Sequence, residues 1–379
     1  MRRALYVVVV VAVLAGAFDA ADYQRGAALV IDAAGLQGFS SWISRLDRHR
    51  YTTSALRVAS RHGPLIARVY VPADGVRRGM VLVPGVHAGG IDEPRLVAFS
   101  RDLAERGNAV LTVDLPDLRR YAITPRTTDM IEDAALWLSG RADLAPGGKI
   151  GVAGVSFGGG LAIVAAGRPS VRDRTAFALS LGGHADLPRT LRYLCTGRLP
   201  DGTFYAPHDY GVVVILLGVA NRLVPREQVD ALRRGILTFL EASHVDMVDK
   251  RRASEIFADA RALAGQMPEP AATFMRYVND RNAKALGTLV LPHVGELADD
   301  PALSAERSAP PRAPVYLLHG TGDNVIPSAE SATLARVLGP QTEVHLLLSP
   351  LITHAEVDRP ASVREIWKLV SFWTRVLDE

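Results

Sequence analysis

The chain has 379 residues, 48% apolar and 22% charged, with a net charge of +3. That length supplies a core large enough to fold without disulfides or metal clips, and the balance argues against disorder, collagen and a multi-span membrane protein. A charge this small gives no footing for nucleic acid: the only lysines are Lys149, Lys250, Lys284 and Lys368, and arginine pairs such as Arg119-Arg120 read as solvated faces. The one cysteine, Cys195, rules out an intrachain disulfide, zinc ribbons and cysteine-ligated clusters, and it reads as a structural thiol.

Met1-Arg2-Arg3 precedes an uncharged, valine-rich run from Ala4 to Phe18 that Asp19 closes. As a helix this run reaches roughly 22 Å, short of the ~30 Å hydrocarbon core. It reads as the apolar region of a signal peptide, with Ala15-Gly16-Ala17 as cleavage pattern, or as a short uncleaved anchor. Arginines before the run and Asp19 and Asp22 after it place the remainder outside the cytoplasm. Residues 1–22 are therefore expected to be a signal peptide or N-terminal membrane anchor. The protein is expected to be extracytoplasmic (periplasmic, secreted, or anchored by residues 4–18), meeting the membrane only through this segment. Residues 23–53 read as a helical lead-in of one or two helices.

Strand patterns begin at residue 54. Ser54 to Ser60 and Leu65 to Pro72 flank the turn Arg61-His62-Gly63-Pro64. Met80 to Val83 is a short strand, Asp92 to Arg106 a helix, and Asn108 to Leu115 a strand. Asp129-Met130-Ile131-Glu132 reads as a helix start with Glu132 as capping acid, and that helix runs to about Gly140. The strand Lys149 to Val155 leads directly into a helix Phe157 to Gly167, and Thr175 to Leu181 is a further strand. Alternating helices and continuously apolar strands predict an α/β fold, a mostly parallel sheet with helices on both faces.

The alternation stops from about 188 to 312. Helical patterns cover Gly211 to Val224, Arg226 to Ala242, Ala253 to Ala264 and Pro270 to Tyr277. The apolar stretch 211–223 is too short to span a bilayer; it reads as a buried helix or as one facing lipid. Ala309-Pro310-Pro311-Arg312 is a linker back to the strand Ala313 to Leu318, the helix Ser328 to Leu338, the strand Thr342 to Leu348 and the closing helix Arg359 to Leu377. Helices inserted late in one sheet predict a core in two parts, 54–187 and 313–379, with a helical cap at 188–312.

The chemistry centres on Gly154-Val155-Ser156-Phe157-Gly158, between an apolar strand and a helix. Such a turn strains the serine and requires small residues two before and two after, which Gly154 and Gly158 supply. A hydroxyl nucleophile needs a base, and the base needs an orienting acid. Asp323, in His319-Gly320-Thr321-Gly322-Asp323, follows the strand Ala313 to Leu318, and His354 follows the strand Thr342 to Leu348. In a parallel sheet these loops converge on the carboxyl edge. Asp186 is the rival acid; His87, His184 and His208 are the rival bases. His319 reads as a stabiliser of its own loop, and His345 lies inside a strand.

These motifs, G-x-S-x-G with H-G-x-x-D-x-x-x-P, resemble the serine α/β-hydrolases of the dienelactone-hydrolase and serine-aminopeptidase-like esterase group, over residues 54–187 and 313–379. The resemblance implies an α/β-hydrolase fold, with Ser156 as nucleophile, His354 as base then acid, and Asp323 as orienting carboxylate. It implies an oxyanion hole from the backbone N–H of Phe157 and of a residue in Pro84-Gly85-Val86-His87-Ala88-Gly89-Gly90. Pro84-Gly85 stands where the group often has His-Gly, which makes Val86 the natural donor and leaves a shift towards His87 open. No metal-ligand spacing occurs, and no cofactor is expected. The implied function is cleavage of carboxylic esters of small substrates through an acyl-enzyme. Peptidase or amidase action, acyl transfer, and a catalytically inactive binding module are the alternatives.

Overall fold

The computed structural model describes residues 20–33, 48–246, 248–352 and 362–379. Residues 4–18 and His354 lie outside the described residues. Two compact units divide the chain, one comprising the residues up to Asp186 and from Asp300 onward, the other Leu187–Asp299.

The first unit opens with α1 (Ala20–Ala33), followed by the hairpin β1 (Tyr51–Val58) and β2 (Leu65–Pro72). β3 (Arg78–Val83), α2 (Pro94–Ala104), β4 (Asn108–Val113), the single turn α3 (Pro116–Arg119) and α4 (Pro125–Ser139) follow. β5 (Ile150–Val155), α5 (Phe157–Gly167) and β6 (Thr175–Leu181) complete the first part. The eight strands, with β7 (Val315–Gly320) and β8 (Val344–Ser349), lie in the order β1-β2-β4-β3-β5-β6-β7-β8. β2 is antiparallel to β1 and to β4, and every pairing from β4 through β8 is parallel.

Burial on both faces explains why the central strands read as apolar runs. Met80 to Val83 and Val110, Leu111 and Val113 are fully buried. Met80 and Leu82 share one core with Leu96 and Leu103 of α2 and with Phe372 and Trp373 of the last helix, α14 (Val363–Asp378). Val83 faces α5, where a Cβ on Gly158 would come within 3.0 Å of its Cγ1. α14 also carries α1: Tyr23 stacks on Trp367 at 4.8 Å, and Arg25 pairs with Asp378 at 3.1 Å. The two helices approach so closely that a Cβ on Gly26 would lie 2.4 Å from Thr374 Oγ1.

Three sequence expectations are corrected. The first strand starts at Tyr51, not Ser54, and its full antiparallel register with β2 runs from Tyr51↔Pro72 to Val58↔Leu65. α4 starts at Pro125, a residue suited to the first helical turn, rather than at Asp129. Asp129 and Glu132 do not cap that helix: Arg168 Nη1 donates to both, at 2.6 Å each. Finally, residues 300–312 belong to the sheet unit. Their short 3₁₀ turns are held there by Thr128 Oγ1 donating to Ala302 O (2.8 Å) and Glu306 N–H donating to Ala185 O (2.9 Å).

The second unit contains α6 (Leu187–Thr196), α7 (Asp209–Leu223), α8 (Arg226–Val245), α9 (Lys250–Ala264), α10 (Ala271–Asn279), α11 (Ala283–Val290) and α12 (Val294–Ala298). α7 is apolar on most sides because most sides are covered: Val212, Val213, Ile215, Leu216, Val219 and Ala220 are all buried. Its Gly218 faces Leu297 of α12. Among the described residues no helix is long and apolar enough to cross a membrane. Cys195 is buried in α6, and burial pushes its thiol up to about 12, which leaves it protonated. The residues after the sheet unit resumes form β7, α13 (Ala329–Leu338), β8 and α14.

Candidate active site

Ser156 sits between β5 and α5 with φ 55° and ψ −133°. This is a conformation L residues rarely adopt, costing on the order of 1–3 kcal/mol. The surroundings enforce it. Ser156 N–H donates to Leu181 O at 2.8 Å, and its carbonyl accepts from Gly159 N–H at 2.8 Å. A Cβ on Gly154 would stand 2.2 Å from Gly158 O, and one on Gly158 would stand 2.1 Å from Pro84 O. Both contacts are with backbone, so neither glycine has room for a side chain. The result is a half-buried serine at the carboxyl end of a central strand, on the N-terminal end of a helix whose own residues are all buried.

The loop after β3 runs beside this serine. A Cβ on Gly85 would lie 3.3 Å from Ser156 Cβ and 3.9 Å from its Oγ. Val86 is the next residue along. Phe157 is the first residue of α5, so its N–H has no carbonyl four residues back to bond. His87, the other candidate in this loop, uses its ring internally: Gly89 N–H donates to Nδ1 at 3.0 Å.

Asp323 lies three residues beyond β7 and is 3% exposed. Val325 N–H and Ile326 N–H donate to its Oδ1 at 2.9 and 3.0 Å, fixing the carboxylate plane. Its Oδ2 looks towards the loop after β6, where a Cβ on Gly182 would lie 3.5 Å away. That glycine adopts φ +63°. His319, fully buried, places Nε2 2.8 Å from Ile326 O and Nδ1 2.7 Å from Ser331 Oγ. A carbonyl only accepts, so Nε2 carries a proton and donates to Ile326 O. Nε2 is also 3.4 Å from Asp323 Oδ2. His319 thus braces the acid's loop with both ring nitrogens.

His354 lies outside the described residues, but its approach is described. β8 ends at Ser349, and Ile352 carries the chain back against β7: a Cβ on Gly320 would meet Ile352 O at 2.1 Å. The chain therefore passes the root of the Asp323 loop two residues before His354.

The rivals are engaged elsewhere. Asp186 pairs with Arg307 at 3.1 Å. His184 is fully buried, its Nε2 2.8 Å from Leu303 O and its ring tilted against Phe157 at 5.4 Å. His208 caps α7 in the second unit, accepting from Tyr210 N–H at 3.2 Å. Among the described residues no group of three or more histidine, cysteine or acidic side chains could hold a metal ion.

Two supporting groups escape the sequence patterns. Glu330, 3% exposed on α13, accepts from the N–H groups of Ala185 and Asp186, both at 3.0 Å, and so fixes the loop after β6. Arg119 is exposed along about half of its side chain, yet its Nε donates to Ala88 O at 3.0 Å and its Nη1 pairs with Asp114 at 3.1 Å. The bonds to Ala88 and from Ala185 and Asp186 have no signature in spacing, because partners 31 to 145 residues apart meet only in the fold.

No protein-family model matches the sequence, and no curated protein matches it. Solved structures do. The chain resembles a hyperthermophilic esterase from the archaeon Pyrobaculum calidifontis, with a TM-score of 0.48, 16% identity, and 94% of this chain and 91% of that one covered. It also resembles an acylaminoacyl peptidase in complex with Z-Gly-Gly-Phe-chloromethyl ketone, with a TM-score of 0.50 and 15% identity over 91% of this chain. The match takes up 44% of that peptidase, less than half its length. The Pyrococcus horikoshii acylaminoacyl peptidase without ligand gives 0.47 at 15% identity, over 90% of this chain and 44% of that one. The match to the peptidase at a TM-score of 0.50, with the strand order and the strained turn at Ser156, shows the fold: the chain has the α/β-hydrolase fold.

Proposed function

We propose that the chain is a serine hydrolase that cleaves carboxylic esters of small substrates through an acyl-enzyme. The observation that supports this best is the turn at Ser156, forced by Gly154 and Gly158 into a strained conformation beside the Gly85-Val86 loop. Ser156 Oγ attacks the ester carbonyl while His354 takes its proton. The tetrahedral oxyanion is held by the N–H groups of Val86 and Phe157. His354 returns the proton to the departing alcohol, and the acyl group remains on Ser156. Water then attacks the acyl-enzyme with His354 again as base, which releases the acid and the free serine. Asp323 orients the imidazole and stabilises it when protonated.

Ser156→Ala tests this reading. The variant should lose covalent labelling by a fluorophosphonate and lose several orders of magnitude in ester turnover, about 10⁶ where triad members act as a unit. Undiminished labelling would remove Ser156 from the role. The esterase and the acylaminoacyl peptidase share this fold, so amide cleavage is the second reading. A chain-length series of p-nitrophenyl esters beside aminoacyl anilides separates the two. Higher kcat/KM on the anilides would replace the ester assignment.

A further inference from the structure

We propose that Arg119 is a positioning residue for the oxyanion hole, holding the Val86 N–H in place through the Ala88 carbonyl; the role rests on the serine-hydrolase reading above. Val86 is held on its upstream side by β3 and by the contact of Gly85 with Ser156. Downstream the chain is intrinsically loose. Gly89 and Gly90 follow within four residues, and Gly90 adopts φ +51°.

Within the loop, Gly89 N–H donates to His87 Nδ1 and Gly90 N–H to His87 O. Arginine ties the loop to the residue that follows β4. Arg119 donates from Nε to Ala88 O (3.0 Å) while its Nη1 rests on Asp114 (3.1 Å). Asp114 is a firm anchor: it is 9% exposed, directly follows β4, and its N–H donates to Ile66 O at 2.8 Å. A planar guanidinium holding a carbonyl and a carboxylate at once fixes their separation. Packing completes the clamp, since a Cβ on Gly90 would lie 2.6 Å from Asp114 Oδ1 and 2.8 Å from Arg119 Cδ. Arg68 ties the loop further on, donating to Ile91 O at 3.2 Å. Ala88 is the nearer tie, two residues from the donor.

An oxyanion exists only in the transition state and the tetrahedral intermediate. Misplacing its donor therefore lowers kcat and leaves KM nearly unchanged. Removing a donor outright costs about 10²–10³ in kcat, and displacing one should cost less, roughly 10- to 100-fold for Arg119→Ala.

The test uses p-nitrophenyl butyrate, with active sites counted by end-point fluorophosphonate labelling. Expected for Arg119→Ala is that fall in kcat per labelled serine, KM within about twofold, and an equal loss of affinity for a trifluoromethyl ketone whose adduct places an oxyanion in the same hole. Arg119→Lys should recover part of kcat, since an ammonium lacks the fork that holds both partners. Asp114→Asn should fall in the same direction by less. An unchanged kcat in Arg119→Ala, a change confined to KM, or a fall in kcat without loss of ketone affinity would overturn the proposal. Should the alanine variant fold poorly, the lysine and Asp114→Asn variants decide by the same comparison. A wild type that fails to label, or a Ser156→Ala variant that still labels, would instead overturn the hydrolase reading, so the two failures are distinct.

Discussion

At the scale of single residues, the strained turn at Ser156 was the most legible feature. A strand-to-helix junction without room for side chains two residues either side of a serine forces glycine at both positions, and glycine is visible in sequence. The close approaches at Gly154 and Gly158 are to backbone oxygens that cannot rotate away. Gly158→Ala should therefore displace Ser156 as well as destabilise the fold by about 1–3 kcal/mol, the usual cost of overpacking. Fluorophosphonate labelling rates and urea midpoints measure the two effects; normal labelling would mean that the turn tolerates the methyl group. Order along the chain offered Asp323 as the acid and left Asp186 open. Their surroundings differ: Asp323 accepts from two N–H groups at the carboxyl edge, whereas Asp186 pairs with Arg307. Asp323→Asn should lower kcat by about 10³–10⁴ with little change in stability, the pattern of a lost orienting acid. Asp186→Asn should do the reverse, lowering the thermal midpoint with kcat retained. Activity surviving Asp323→Asn but lost in Asp186→Asn would exchange their roles.

At the scale of elements, the strands were legible because burial on both faces leaves continuous apolar runs, and the helix starts were less so. Asp129 and Glu132 imitate a capping pattern in sequence but serve a charge cluster that joins α4 to the β1–β2 turn and to the segment after α5. In that cluster Arg61 Nη2 donates to Glu132 and Asp133 at 2.9 and 2.7 Å, and Ser60 Oγ donates to Asp133 at 2.9 Å. Burial works against the charged form of Asp133, but the bonds from Arg61 and Ser60 outweigh it and hold the carboxyl below the usual carboxylate range. A group whose folded pKa is depressed contributes stability that is full above its unfolded value, about 3.9, and that is lost as pH falls through the folded value. Asp133→Asn should therefore cost roughly 1–3 kcal/mol at neutral pH. The gap to wild type should close below about pH 4. Urea unfolding from pH 7 to pH 2.5 reads this directly, and a gap that stayed constant down to pH 2.5 would show that the carboxylate charge contributes nothing.

At the scale of the molecule, composition marked the inserted helices but not where the insertion ends. Ala309-Pro310-Pro311-Arg312 looks like a linker because proline interrupts pattern, and from sequence the preceding 3₁₀ turns have no reason to belong to either side. Their partners decide it. Leu303 O receives the fully buried His184, Ala302 O receives Thr128, and Glu306 N–H returns to Ala185, so residues 300–308 close the gap between β6 and β7 from within the sheet unit. Two deletions separate these boundaries. Replacing residues 188–299 with a short glycine-serine linker keeps all three bonds. Replacing residues 188–312 removes them and leaves Thr128, His184 and the Ala185 carbonyl buried without those partners, at about 1–3 kcal/mol for each unsatisfied group. The first variant should melt as a cooperative unit by far-ultraviolet circular dichroism. The second should melt at a clearly lower temperature or fail to show a cooperative transition. Equal midpoints for the two would return residues 300–312 to the insertion and make the proline linker the true boundary.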